Sequence, residues 1–402
     1  MNIKNVIILC DVATANGGAS KVAIQSAIGL SELGLNVILF SSVGPVDPLL
    51  KKSGVQVVCL NQKDILSEKN RFKAFIQGLW NHRAYSRLRE ILDEYDVEDT
   101  VVHSHVLIKA LSPSLWAVLA NYRFKVFVTL HDYFLFCPNG GLYNYKRQEI
   151  CSICPSSLRC FRTNCDSRSY IHKIWRNIRQ LIQIKPFSKI QNIRFISIST
   201  LNKQLCLPYL GKYAKGWYEL HNPIEVNTKD AVDIVNNHAY LFMSRLSPEK
   251  GLDLFCEAMT RLGLEGMVLG DGELRNEYEK KYPNVKFAGW ATGKIKENYI
   301  KSSKALVFPS KWYEGAPLTI IELKSYGIPC IVPDLCAASE EIENGKTGLI
   351  FETGNIDSLI KCLEQYETMD IMCLQRNILE SFDASSYSLR THCRNLLNVY
   401  NS

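Results

Sequence analysis

The chain has 402 residues, enough for two domains that each bury a core. Its 47% hydrophobic and 22% charged residues are a globular composition, and no uncharged stretch approaches the ~18 to 20 apolar residues that cross a bilayer. The net charge of +7 is uneven: residues 1–222 carry 28 Lys and Arg against 15 Asp and Glu, whereas residues 223–402 carry 19 against 25, so the N-terminal half is suited to an anionic partner.

The opening MNIKNVIILCDV is an apolar run that Asp11 interrupts before a glycine-bearing stretch. It reads as a first strand and not as a signal peptide, which makes the cytoplasm the expected location. Strand Val6–Cys10, loop Thr14–Ala19, helix Lys21–Leu33 and strand Asn36–Phe40 follow in order. VQVVCL, TVVHSH, FKVFVTL and RFISIS continue as strands with helical patterns between them. Strands alternating with helices predict a parallel sheet covered on both faces.

The pattern pauses in a polar stretch over residues 223–237, which is expected to be a linker. A second alternation runs through AYLFMSR, GMVLG, VKFAGW, ALVFPS, PCIVP and GLIFE. The expected organisation is an N-terminal domain over 1–222 with a Cys-rich insertion at 137–165, and a second domain over 238–383. A helix over 384–402 is expected to pack back toward the first domain. The fold class is α/β, two doubly wound Rossmann-like domains facing across a cleft. Ligands of such sheets sit beyond the carboxyl ends of the strands.

EGAPLTIIE follows the strand ALVFPS, so Glu314 begins at a strand's carboxyl end. Pro317 suits the first helical position, because the N–H it lacks would be unsatisfied there. The amides of Gly315, Ala316 and Leu318 then point out of a helix start, with Glu314 just outside it and Glu322 further along. The alternative reading makes Glu314 a dipole-favoured residue and Glu322 a chance surface one. In MSRLSPEKG, Arg245 and Lys250 flank a turn that Gly251 closes, and both suit phosphate. GDGELR is a further strand-end glycine turn, and NGGAS (Asn16–Ser20) lets backbone approach a ligand. No GxGxxG is present and no acidic residue ends the second strand, so the dinucleotide fingerprint is absent.

Five of the fourteen cysteines crowd into one polar loop: Cys137, Cys151, Cys154, Cys160 and Cys165. Three readings stand: a structural zinc held by four of them, a set of reduced thiols and, less favoured, an iron–sulfur cluster. From Arg159 to Arg194 nine basic residues face one acidic one, Asp166. A helix there would place Ile171, Ile174, Trp175, Ile178, Leu181 and Ile182 on one side and Lys173, Arg176, Arg179 and Gln180 on the other. The expected arrangement buries the apolar side and turns the basic side outward, available to an anionic membrane surface. No nucleic-acid motif accompanies the charge.

In order, these motifs (GG after the first strand, the histidine of TLHDYF, R…EKG, GDG and E-x7-E) resemble the retaining family-4 glycosyltransferases of the GT-B fold, over nearly the whole chain. The resemblance implies a metal-independent enzyme of surface polysaccharide synthesis (O-antigen or capsule) that takes a nucleotide-diphosphate sugar to a lipid-linked glycan acceptor. Glu322 would bind the ribose, Glu314 the donor sugar, and Arg245 and Lys250 the diphosphate. Gly18 would lie at the donor phosphates and His131 would reach the sugar. His103 and His105 are either acceptor-side or structural. No cofactor is implied for catalysis, and the expected site of action is the inner face of the cytoplasmic membrane. A non-catalytic nucleotide-sugar or phospholigand-binding protein on the same fold is the alternative.

Overall fold

A computed structural model of the chain describes residues 3–226 and 231–402. It divides into two compact units, the first made of residues 1–141, 153–223 and 388–402 and the second of residues 142–152 and 224–387.

The first unit contains β1 (Asn5–Val12), α1 (Gly18–Glu32), β2 (Asn36–Val43), α2 (Pro48–Lys52), β3 (Gln56–Cys59), α3 (Arg71–Leu79), α4 (His82–Leu92), β4 (Thr100–Val106), α5 (Ser114–Leu119) and β5 (Lys125–Thr129). The hairpin β6 (Tyr143–Asn144) and β7 (Glu149–Ile150) belongs to the second unit. The first unit resumes with α6 (Leu158–Arg162), α7 (Tyr170–Phe187), β8 (Ile193–Ser197), α8 (Thr200–Leu210) and β9 (Gly216–Glu219). Its seven strands run in the order β3-β2-β1-β4-β5-β8-β9 and are parallel throughout. β1 lies inside the sheet and is buried along almost its whole length, which is why its sequence is a continuous apolar run rather than an alternating one. Side-chain caps set several helix starts: Asn70 accepts from Lys73 N, Asn81 from Ala84 N and Ser199 from Asn202 N.

The second unit contains β10 (Ala239–Met243), α9 (Leu252–Leu262), β11 (Gly266–Leu269), α10 (Arg275–Lys281), β12 (Val285–Gly289), α11 (Gly293–Lys301), β13 (Ser303–Val307), α12 (Leu318–Lys324), β14 (Cys330–Pro333), β15 (Gly348–Phe351), α13 (Ile356–Thr368) and α14 (Ile371–Ser381). Its six parallel strands run β12-β11-β10-β13-β14-β15. The closing helix α15 (Leu389–Asn401) returns to the first unit, where Cys393, Leu396 and Tyr400 join the core beside β1 and α1. The approach to α1 is close: a Cβ on Gly29 would lie 2.5 Å from Cys393 Sγ.

Three boundaries differ from the sequence reading. Residues 223–237 are not a simple linker, because Val232 and Ile234 are buried in the second unit's core and Val232 N donates to Tyr326 O. Two isolated apolar side chains sufficed to anchor a segment with no periodicity; residues 227–230 of it lie outside the described residues. Residues 142–152, inside the expected Cys-rich insertion, group with the second unit. Pro317 is the cap of α12 and not its first helical residue, with an extended ψ of 93°. β9 and the hairpin β6–β7, too short to show a period, were not legible in the sequence.

Candidate functional site

Strand order reverses at β10 and β13 in the second unit, since β11 lies on one side of β10 and β13 on the other. The loops leaving these two strands carry the residues singled out in EKG and EGAPLTIIE. After β10 comes Arg245, whose Nη2 donates to Glu249 Oε1 at 2.8 Å and whose side chain is 64% exposed. Gly251 closes this turn at φ +74°, and a Cβ there would lie 1.9 Å from Pro309 O, in the loop after β13. Only glycine permits that approach, and it seats Lys250 beside the second loop. A Cβ on Gly270 of GDGELR would likewise meet Ser244 O at 1.9 Å, so the loop after β11 is packed on the same turn.

Lys250 and Glu314 form an ion pair in which Lys250 Nζ donates to Glu314 Oε2. Trp312 Nε1 donates to the same oxygen at 2.7 Å, and Lys250 Nζ lies 5.1 Å from the centre of the Trp312 ring. Burial alone would raise the Glu314 carboxyl, but Lys250 and Trp312 outweigh it and hold its pKa below the usual carboxylate range. Glu314 is therefore an anion held rigidly at the end of β13. Gly315, Ala316, Pro317 and Leu318 lead from it into α12, all partly exposed. Glu322 sits one turn into that helix and pairs with Lys296 of α11. Arg245, Lys250, Glu314 and the Gly315–Leu318 turn thus come together at one sheet edge, and both carboxylates are met by a lysine.

In the first unit the order reverses at β1 and β4. Beyond their ends lies a cavity of about 670 Å³, lined by Val12, by Asn16–Ser20 including Gly18, and by Val106 and Lys109. Gly18 is the first residue of α1. Asp11, buried at the end of β1, accepts from the N–H groups of Ile108, Lys109, Ala110 and Leu111 at 2.6 to 3.0 Å. It ties β1 to the loop after β4 and shapes the cavity wall. Burial still holds its pKa above the ordinary carboxylate value, against those four donors.

His131 follows β5 and shares a 3.0 Å hydrogen bond between its Nε2 and His105 Nδ1. Desolvation pushes its pKa down to about 3, so the imidazole is neutral at ordinary pH. His103 is fully buried, bonded to Tyr400 Oη at 2.6 Å and to Thr129 Oγ1 at 2.8 Å, which makes it a structural tie between β4, β5 and α15. His105, also buried, supports His131. Asp132 lies beside Arg179, and burial raises its carboxyl to about 6.

The cysteines do not assemble as a four-ligand site. Among the described residues no group of three or more His, Cys, Asp or Glu side chains is placed to hold a metal. Lys173 Nζ instead donates to Cys160 Sγ at 3.4 Å and bonds Cys165, with Cys137 near enough to act on its charge. A buried ammonium among three thiols repels a dication, which favours the reduced-thiol reading. Cys154 is exposed, and Cys151 falls in the segment that groups with the second unit.

The α7 helix is turned opposite to expectation. Lys173 is 0% exposed and Arg179 4%, while Arg176 is partly buried and paired with Asp166 at 3.2 Å. Ile171, Ile174, Ile178 and Leu181 face outward, Ile171 at 78%. Most of the buried polar side finds partners: Arg179 donates to Leu107 O and Gly78 O, Gln180 to Leu135 O and Gln183 to Phe134 O, while Asn177 on the same side is buried with neither amide atom bonded. Lys173, Arg176 and Arg179 are therefore not an outward basic face. The sequence reading also passed over Trp312, Lys296 and Asp11. Only Asp11 carried a signal, a carboxylate at the end of an otherwise apolar strand just before a glycine loop.

Comparison with known proteins places this geometry. Residues 228–378 match the family model for glycosyl transferases group 1. Over 142 residues the chain is 32% identical to the UDP-Gal:alpha-D-GlcNAc-diphosphoundecaprenol alpha-1,3-galactosyltransferase of Escherichia coli, a match covering 32% of this chain and 36% of that protein. It is 29% identical over 164 residues to the lipopolysaccharide 1,6-galactosyltransferase of Salmonella typhimurium, covering 35% and 43%. The chain thus spans under half the length of either relative. Among solved structures it is similar to HepE of Anabaena in complex with UDP, with a TM-score of 0.67, 14% identity and 99% of both chains covered. That likeness shows the fold, two Rossmann-like α/β halves of the GT-B type, and the match to the glycosyl transferases group 1 model is confined to residues 228–378.

Proposed function

We propose that this chain, whose residues 228–378 carry a glycosyl transferases group 1 domain, moves a hexose from a nucleoside-diphosphate sugar to a lipid-linked glycan in surface polysaccharide synthesis, with retention at the anomeric carbon. The observation that carries this reading is the Lys250–Glu314 pair at the point where the second sheet reverses its strand order. There a cation suited to a diphosphate touches a carboxylate suited to sugar hydroxyls, so a donor's two halves would meet at the bond that breaks.

In this reading Arg245 and Lys250 neutralise the diphosphate, and the amides of Gly315, Ala316 and Leu318, around Pro317, add donors to it. Glu322 takes the ribose hydroxyls, for which Lys296 is the standing partner. Glu314, kept ionised by Lys250 and Trp312, accepts from the sugar hydroxyls. His131, a neutral imidazole, hydrogen-bonds the sugar and carries no charge to it. Gly18 offers close backbone approach for the donor phosphates. The departing phosphate takes the acceptor's proton on the same face of the sugar, which retains configuration without an enzymic nucleophile. Two side-chain cations do the neutralising, so the reaction is metal-independent. The Escherichia coli relative is named for UDP-galactose and a diphosphoundecaprenol acceptor, which supports a UDP-sugar as the first donor to try. The acceptor places the enzyme at the inner face of the cytoplasmic membrane, peripherally; among the described residues no helix is long and apolar enough to cross it.

A screen of nucleotide sugars for thermal stabilisation, followed by product analysis with the best donor, tests the proposal. The expected result is stabilisation by one UDP-sugar and transfer with retained configuration. Stabilisation with no product under any acceptor would instead leave a nucleotide-sugar-binding protein.

A further inference from the structure

A second, smaller cavity of the first unit, about 30 Å³, is lined by His105, Trp116, His131, Asp132, Arg179 and Gln183 among others. A water molecule needs roughly 10 to 15 Å³ of such space and two to four polar partners, so one or two fit. Two groups in the lining require one. Trp116 Nε1 and His105 Nε2 are both buried, and neither has a hydrogen-bond partner among the described residues. Trp116 lies in α5 with the Phe187 ring set perpendicular to it at 5.1 Å, so its N–H cannot turn out to solvent. Unmet polar groups at that depth are costly, and a shared water relieves both.

His105 meets His131 with its other nitrogen: Nδ1 lies 3.0 Å from His131 Nε2, and the two rings stack with centres 5.2 Å apart. Desolvation keeps both imidazoles neutral. A neutral imidazole has one N–H and one bare nitrogen, so the state of His105 Nε2 sets all four nitrogens. If it is bare, His105 Nδ1–H donates to His131 Nε2, and His131 carries its proton on Nδ1. If it is protonated, His131 Nε2–H donates to His105, and His131 Nδ1 is bare. His131 is partly exposed and its Nδ1 has no hydrogen bond among the described residues, which leaves that nitrogen for a ligand.

The lining decides between the two. The indole of Trp116 and the guanidinium of Arg179 can only donate. Asp132, the carboxylate there, already accepts from Phe134 N at 3.0 Å, and Arg179 offsets its charge. Donors thus take the lone pairs of a water in this cavity, and its hydrogens turn to acceptors. We propose that an ordered water bridges Trp116 Nε1 and a bare His105 Nε2, and so fixes His131 with its proton on Nδ1, presented as a hydrogen-bond donor. His105 and Trp116 are positioning residues in this arrangement, acting only through His131. That the group receiving this hydrogen bond is a donor-sugar oxygen rests on the glycosyltransferase reading; the water and the tautomer do not.

Three measurements on the full chain test it. In protein labelled with nitrogen-15 histidine, two-bond proton–nitrogen correlations at neutral pH give the tautomer of each ring, and loss of signals in His131→Gln identifies His131. Its proton should sit on Nδ1; a proton on Nε2 overturns the proposal. A crystal structure of the wild-type protein should show a water roughly 3 Å from both Trp116 Nε1 and His105 Nε2, and a dry cavity overturns it whether or not any variant folds. Trp116→Phe keeps an aromatic ring against Phe187 and deletes the N–H. In this variant His131 should exchange between both tautomers, and an unchanged single tautomer overturns the relay. Its kcat for sugar transfer should fall on the order of 3- to 10-fold, the worth of one hydrogen bond, with the donor KM nearly unchanged. Wild-type kcat with a mixed His131 tautomer would overturn the positioning role. The Nδ1 tautomer in a protein that transfers no sugar would sink the glycosyltransferase reading alone. Transfer by a protein whose His131 is protonated on Nε2 would sink this inference alone.

Discussion

Lys250 and Glu314, 64 residues apart in sequence, share an ion pair that Trp312 closes from the other side. The first prediction follows from that pairing. Lys250→Ala should weaken nucleoside diphosphate binding 10- to 100-fold, about 1.4 to 2.8 kcal/mol, while Glu314→Gln should leave affinity nearly intact and lower turnover on the order of 10²-fold. Because the two groups touch, the double variant should lose less than the sum of the single losses. Calorimetry with UDP and single-turnover transfer assays measure the two effects. Wild-type turnover in the double variant would refute the assignment.

Glu322 is predicted to act on the nucleoside. Glu322→Ala should weaken UDP binding about tenfold, the scale of one charge-assisted hydrogen bond. Its affinity for diphosphate alone should not change, because the ribose is the group being read. Equal losses for both ligands would place Glu322 at the phosphates instead.

For the cysteine loop, Lys173 among Cys137, Cys160 and Cys165 predicts protein purified with well under one zinc per chain. A chelator should leave the melting temperature where it was. One tightly held zinc per chain, with destabilisation on its removal, would restore the metal reading and require Lys173 to move aside.

Four desolvated imidazoles, three of them buried and His131 partly exposed, predict acid lability of the first unit. His131 is held down to about 3 and His392 to about 4, with His103 and His105 also well below their ordinary value of 6.5, in each case chiefly by desolvation. An unfolded chain takes up these protons near pH 6.5 and the folded one does not. The unfolded state therefore binds more protons below that pH, and stability must fall as pH drops from about 6.5 toward 4. Asp132, raised to about 6, works in the opposite sense between 3.8 and 6, as does Asp11, but two carboxyls oppose four imidazoles. Melting temperatures at pH 7.5, 6 and 4.5 should decline in order, and His392→Gln should flatten the decline. A melting temperature that holds steady or rises across that range would contradict the sign.

Most of the sheet framework and much of the second site were legible in the residues themselves. β1, β10, β11, β13 and β14 announced themselves because a strand buried on both faces must be apolar at successive positions, a constraint on local composition. Gly251, Lys250 and Glu314 could be placed at strand ends because a glycine turn or a charge just after an apolar run is also a local mark. What only the tertiary structure decided were choices between partners. A 3.6-residue period divides α7 into two sides but is the same whichever side faces inward. The outcome depended on carbonyls of Gly78, Leu107 and Leu135, which lie 45 to 101 residues away from their donors. The cysteines likewise have the spacing of ligands, yet Lys173 lies among three of them because α7 turns its polar side toward their loop. Composition and period are properties of a segment, whereas burial of a polar side depends on groups that other segments bring to it.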